Sequence, residues 1–202
     1  SDLVSGNEIS VEREVSNLSP FEIKETEYEL ISLNVSHRKE PLVLEVWNPS
    51  SPEEIRKNWI LLMPGLGGDR SHFNWLARSL SHKGWTVVVI DHPGSDSNAL
   101  EALVKGRLPL PGAEVIPDRI ADLDSVLQAK KEGKIDISEN KVVLMGHSLG
   151  ALTAILASGA KIDDQLGERC QRVLDNLSLT NLSSLLQCQL IDISLSDRKK
   201  MG

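Results

Sequence analysis

The sequence has little cysteine, no excess of basic charge and no long apolar run. Its two cysteines, Cys170 and Cys188, match no metal-ligand spacing and read as buried free thiols rather than as a disulfide. No His, Cys, Asp or Glu cluster has ligand spacing, so neither a metal nor another cofactor is expected. Asp and Glu number 29 against 22 Lys and Arg, a formal charge of −7, which argues against a nucleic-acid surface. No apolar stretch approaches the ~18 residues that a bilayer-spanning helix needs. An apolar leader is also lacking, and the first residue is Ser1. The expectation is a leader or tag already removed, with the cytoplasm as the default compartment.

What is present fits one domain. The 202 residues are 40% hydrophobic and 25% charged, enough for a sizeable core. Residues 1–20 read as an irregular arm. Leu30-Ile31-Ser32-Leu33-Asn34-Val35 alternates as a half-exposed strand does, and Leu42-Val43-Leu44-Glu45-Val46-Trp47 follows a short turn. The pair predicts an antiparallel hairpin. Trp59-Ile60-Leu61-Leu62-Met63 and Trp85-Thr86-Val87-Val88-Val89-Ile90 are continuous apolar runs, the mark of strands buried on both faces. A helix is expected between them, with Phe73, Leu76, Ala77 and Leu80 on one face and Gly84 as its stop.

After a long connection over 95–116, Pro117 is placed as the first residue of a helix carrying Ile120, Leu123, Val126 and Leu127 on one face. The strand after Lys141 is the third of its kind. Strand-loop-helix repeated three times predicts an α/β fold: an antiparallel hairpin, then a mostly parallel sheet with helices on both faces. Residues 160–202 are less legible and read as a helical or lid-like segment.

That third strand ends in Gly146-His147-Ser148-Leu149-Gly150 and leads into the small, apolar helix Ala151-Leu152-Thr153-Ala154-Ile155-Leu156-Ala157. A serine hydroxyl is a weak nucleophile and must stand clear of the sheet for a base and an oxyanion hole to reach it. A sharp strand-to-helix turn does this when its flanks lack side chains. The helix N-terminus adds positive potential where an oxyanion would form.

The order of these elements resembles the α/β-hydrolases. Within them, four stretches resemble the dienelactone hydrolase and platelet-activating-factor acetylhydrolase-like group: Val46-Trp47-Asn48-Pro49, Pro64-Gly65-Leu66-Gly67-Gly68, Asp91-His92-Pro93-Gly94-Ser95 and the serine corner. Arg119 with Asp122 in the preceding helix also fits. The resemblance implies a serine esterase with Ser148 as nucleophile and the backbone N–H groups of Leu66 and Leu149 as oxyanion donors. The implied substrate is a small ester, lactone or lipid-like molecule.

The resemblance also implies an acid and then a histidine after the serine. None of the five histidines, His37, His72, His82, His92 and His147, follows Ser148. His147 is expected to point away from Ser148, His92 to be structural or solvent-facing, and the other three to lie on the surface. Asp163, Asp164 and Asp175 fall in a charged segment, which leaves Asp192, inside an apolar run, as the candidate acid. The expectation is a chain that stops before the strands carrying acid and base, so that these 202 residues turn over weakly or not at all; the alternatives are an unusual closure by residues 185–193 and a chain completed by a partner. The serine-bearing strand would then be an exposed edge. A non-catalytic hydrolase-like binding protein is the alternative.

Overall fold

The run after Asn58 becomes β4 (Asn58–Met63), buried from Trp59 onward. Its side chains alternate between two cores. Trp59, Leu61 and Met63 join Leu123 and Val126 of one helix and Ala154 of another. Ile60 and Leu62 meet Ala77 and the flanking Phe73, Leu76 and Leu80 on the opposite face. A strand apolar on both faces needs helices on both faces.

The computed structural model describes residues 10–14, 28–49, 56–107, 112–138, 140–163, 165–175, 188 and 190. The other strands are β1 (Ser10–Glu14), β2 (Tyr28–Asn34), β3 (Leu42–Trp47), β5 (Val87–Ile90) and β6 (Lys141–Gly146). The helices are α1 (Asn74–Ser81), α2 (Ser97–Val104), α3 (Ile116–Lys131), α4 (Leu149–Ala157) and α5 (Leu166–Asp175). The sheet runs β1-β2-β3-β5-β4-β6. Its first three pairings are antiparallel and its last two, β5 with β4 and β4 with β6, are parallel. The sheet is therefore mixed, with its parallel part confined to the half that carries the serine.

Several expectations change. Ser10–Glu14, inside the stretch read as irregular, pairs with β2 as a strand. The connection 95–116 contains α2, opened by Asp96, whose side chain accepts the Ala99 N–H at 3.1 Å. Pro117 is the second residue of α3 rather than the first. Cys170 and Cys188 form a disulfide with Cα atoms 5.5 Å apart, within bridging reach. Two residues after Cys188, Leu190 is buried in one cluster with Ile116, Ile120, Leu149 and Leu156.

Among the described residues β6 is an edge strand, with Val143 36% exposed while β4 beside it is sealed. Register sets the position of the site. Met63 lies opposite Gly146, so β4 and β6 release their chains side by side at the carboxyl edge of the parallel strands, where open α/β sheets place their ligands.

Candidate active site

Ser148 has φ 52° and ψ −119°, and among the described residues it is the only non-glycine with positive φ. These angles belong to the first central position of a type II′ turn, ordinarily a glycine position. The matching hydrogen bond is present: Gly150 N–H donates to the His147 carbonyl at 2.9 Å. Holding serine there costs about 1–3 kcal/mol, and such strain persists only where the surroundings enforce it.

Space does the enforcing. A Cβ on Gly146 would lie 2.3 Å from the carbonyl carbon of Gly150, and one on Gly150 would lie 2.1 Å from the Met63 oxygen. Backbone therefore packs directly on backbone between β4, the turn and α4. His147 N–H donates to the Met63 oxygen at 3.1 Å, tying the turn to the end of β4. Ser148 is exposed. Leu149 opens α4, and the first amides of a helix have no partner within it.

The Pro64–Gly68 loop lies against this turn. A Cβ on Gly65 would come within 3.0 Å of both the His147 oxygen and Ser148 Cβ. Gly67 has φ 69° and donates its N–H to the Ser95 oxygen at 2.9 Å, while Gly68 N–H returns to the Gly65 oxygen at 3.2 Å. Between turn and loop is a cavity of about 240 Å³, lined by Gly65 to Gly68, His72, Phe73, His147 and Ser148.

His147 lines the cavity together with Ser148, its ring 6.0 Å from that of Phe73. His72 and Phe73 are lining residues that periodicity alone places only on a helix or the surface. A short 3₁₀ turn, Arg70–Phe73, presents them. Asp69 caps that turn, its carboxylate accepting from Ser71 N–H, with His72 Nδ1 accepting from Asp69 N–H at 3.4 Å. The Asp69-x-x-His72 spacing after the glycine loop is the signal that locates it.

Arg70, the first residue of that turn, is fastened too: its N–H donates to Asp91 Oδ1 at 2.7 Å, and its Nε lies 3.1 Å from Asp91 Oδ2. Burial pushes the Asp91 carboxyl up to about 6, with Arg70 opposing.

Behind the loops lies a buried polar network. Asp122 of α3 accepts from His92 Nδ1 at 2.7 Å, from Arg38 Nε and Nη2 at 2.9 and 2.7 Å, and from His37 Nε2 at 2.7 Å. Burial opposes ionisation of Asp122, but the bonds from His92 and Arg38 prevail and hold it at about 2. His92 is lowered to about 4, first by burial and then by Arg119. The imidazole is therefore neutral and donates Nδ1–H to the carboxylate. His92 is structural, as one expectation had it, and not solvent-facing. His37 is not a free surface residue, whereas His72 and His82 are exposed.

Asp192 lies outside the described residues, as do Asp164 and most of 185–193. Among the described residues no His, Cys, Asp or Glu group could hold a metal ion, and no helix is long and apolar enough to cross a membrane.

Comparison with known proteins bears on the same region. The model of the alpha/beta hydrolase family matches residues 60–180. Among solved structures, an acetyl xylan esterase from Paenibacillus sp. R4 is 16% identical with a TM-score of 0.46, covering 76% of this chain and 50% of its own. A ferulic acid esterase from Streptomyces cinnamoneus is 15% identical with a TM-score of 0.41, covering 76% and 54%. A thermophilic esterase from Thermogutta terrifontis, with butyrate bound, is 21% identical with a TM-score of 0.39, covering 56% and 38%. The chain spans about half or less of the length of these structures. No curated protein matches it.

Proposed function

The chain belongs to the alpha/beta hydrolase family, and from that premise we propose that it is a serine hydrolase acting on a carboxylic ester or lactone through an acyl-enzyme on Ser148. The observation that carries this reading is the strained Ser148 itself. A serine at a glycine position, with both flanking glycines demanded by close packing, is costly for a turn and appropriate for a nucleophile.

In this reading Ser148 Oγ attacks the carbonyl carbon, and the carbonyl π electrons move onto oxygen. The N–H groups of Leu149 and Leu66 receive that oxyanion. Two observations fit them to the role. Leu149 begins α4, and the Gly67 and Gly68 amides on the far side of Leu66 are already committed. Pro64, which has no N–H, does not disturb this, because the donor lies two residues later. Collapse of the intermediate breaks the ester C–O bond, the leaving alkoxide takes the proton that the serine hydroxyl gave up, and water then releases the acid and returns a proton to Ser148 Oγ.

The cavity of about 240 Å³ is smaller than the ~300 Å³ lower bound for drug-sized ligands, which favours a short acyl group. The finer likeness to the dienelactone hydrolase and platelet-activating-factor acetylhydrolase-like group belongs to this proposal, and so does Asp192 as the acid. No base is assigned.

One observation favours a second reading, a hydrolase-like protein that binds without catalysis: none of the histidines in these 202 residues follows Ser148. The two separate on p-nitrophenyl acetate. After acid quench, the esterase reading expects one acetyl group on the peptide containing Ser148 and none in Ser148→Ala. An unmodified, well-folded wild-type chain that also releases no p-nitrophenol above background would favour the binding reading.

A further inference from the structure

Arg119 is a guanidinium sealed inside the protein, 1% exposed, on the first turn of α3. Its Nη1 donates to Ser95 Oγ at 2.7 Å and its Nη2 to the Pro64 carbonyl oxygen. Nε has no hydrogen-bond partner among the described residues. An apolar side chain of similar volume would avoid much of the desolvation cost, so stability alone does not account for an arginine here.

The bonds have a particular arrangement. Pro64 precedes Gly65-Leu66, and Gly67 follows them with its N–H on the Ser95 oxygen. Arg119 therefore holds the loop on both sides of the Leu66 amide, directly at Pro64 and through Ser95 at Gly67. The Pro64 oxygen touches α4 as well: a Cβ on Gly150 would lie 2.6 Å from it. One carbonyl is thus pinned between the guanidinium and the first turn of the helix that begins with Leu149.

We infer that Arg119 is a positioning residue for the oxyanion hole, setting the Leu66 amide in register with the Leu149 amide by its grip on Pro64 and Ser95. Its kinetic consequence rests on the serine-hydrolase reading; its structural consequence does not. Burial lowers the Arg119 pKa to about 10, with Asp122 opposing and Arg38 adding to the shift, so the group stays charged at neutral pH and the grip persists. The guanidinium is planar and forked, so one side chain can serve two acceptors in fixed directions, which a lysine does poorly.

The test compares Arg119→Gln, Arg119→Lys and Ser95→Ala with wild type by hydrogen exchange and by p-nitrophenyl acetate kinetics. Exchange of the Gly67 amide should speed at least about tenfold in Arg119→Gln while β4 and β5 amides keep their protection. kcat should fall about ten- to hundredfold with KM within about twofold, because the donor is misplaced rather than removed. Affinity for a boronic acid that mimics the tetrahedral intermediate should fall in parallel, and Arg119→Lys should recover part of each loss.

Unchanged Gly67 exchange in folded Arg119→Gln would overturn the inference, as would a loss confined to KM. A wild-type chain without Ser148-dependent chemistry would sink the hydrolase reading alone, since the exchange result still decides the brace. If Arg119→Gln does not fold, Ser95→Ala decides: a kcat loss of about threefold with faster Gly67 exchange supports the brace, and no change in either contradicts it.

Discussion

The two chain reversals that meet at the cavity are held in opposite ways. The turn at the end of β6 is fixed by the absence of side chains: Gly146 and Gly150 let backbone pack on backbone, and the type II′ bond closes within the turn itself. The Pro64–Gly68 loop at the end of β4 has one bond of its own, from Gly68 N–H to the Gly65 oxygen, and is otherwise fixed from outside, by polar groups on α3 and on the loop after β5. The difference separates two kinds of fragility. The first reversal tolerates no added atom at either glycine, whereas the second, though close to the serine turn at Gly65, depends chiefly on charge and hydrogen bonding.

The largest expected effect is on the turn. Gly150→Ala places a Cβ against the Met63 oxygen, a backbone atom that cannot step aside. Loss of about 3 kcal/mol or more is expected by urea denaturation, or failure to fold. A well-folded Gly150→Ala with wild-type stability would break the comparison.

The polar side should respond to pH where the turn does not. The folded-state pKa of His92 is lowered from 6.5 to about 4, so the stability it contributes is present above pH 6.5 and is lost as pH falls toward 4. Asp91 is raised from 3.8 to about 6, so its contribution is present below pH 3.8 and is lost as pH rises toward 6. Each corresponds to roughly 3 kcal/mol, and between pH 4 and 6 they oppose one another. Asp91→Asn should therefore make stability fall with decreasing pH across that window, and His92→Asn should make it fall with increasing pH. Identical slopes in the two variants, measured from urea midpoints, would contradict the assignment. Asp122, held at about 2, adds its own loss only between pH 3.8 and 2.

A smaller effect of opposite sign is expected at the serine. Ser148→Gly removes the side chain from a glycine conformation and should stabilise the chain by about 1 kcal/mol while abolishing acylation. Destabilisation would mean that the turn is not strained. An effect of similar size and opposite sign is expected at Gly67, where φ 69° disfavours a side chain, yet the nearest atom that a Cβ would meet, Leu100 Cδ2, is the far end of a side chain and can yield. Gly67→Ala should cost about 1 kcal/mol, far less than Gly150→Ala.

The parts legible in the sequence are those whose cause is local. The runs of β4 and β5, the helical face of α3 and the glycine-flanked serine each carry their own signal, and each forms near where periodicity predicts it. What escapes notice depends on distant partners. β1 gains its strand character from pairing with β2. The hydrogen bond between His37 and Asp122 joins positions 85 apart in the sequence, and reading α3 for its apolar stripe alone says nothing of the acid and arginine buried on it. The disulfide escapes for the same reason, since it joins positions 18 apart whose approach depends on tertiary packing. α2 escapes differently: at eight residues it is short, and only the Asp96 cap, with Leu100 and Val104 one turn apart, betrays it.

The claim on which both reversals converge is that Ser148 is a preformed nucleophile facing two backbone donors. Mapping the adduct of a fluorophosphonate probe by peptide mass spectrometry tests it most directly. One phosphonyl group on Ser148, absent from Ser148→Ala and acquired more slowly by folded Arg119→Gln, is the predicted result. A folded wild-type chain that takes no adduct at Ser148, or takes it on another residue, would contradict the claim.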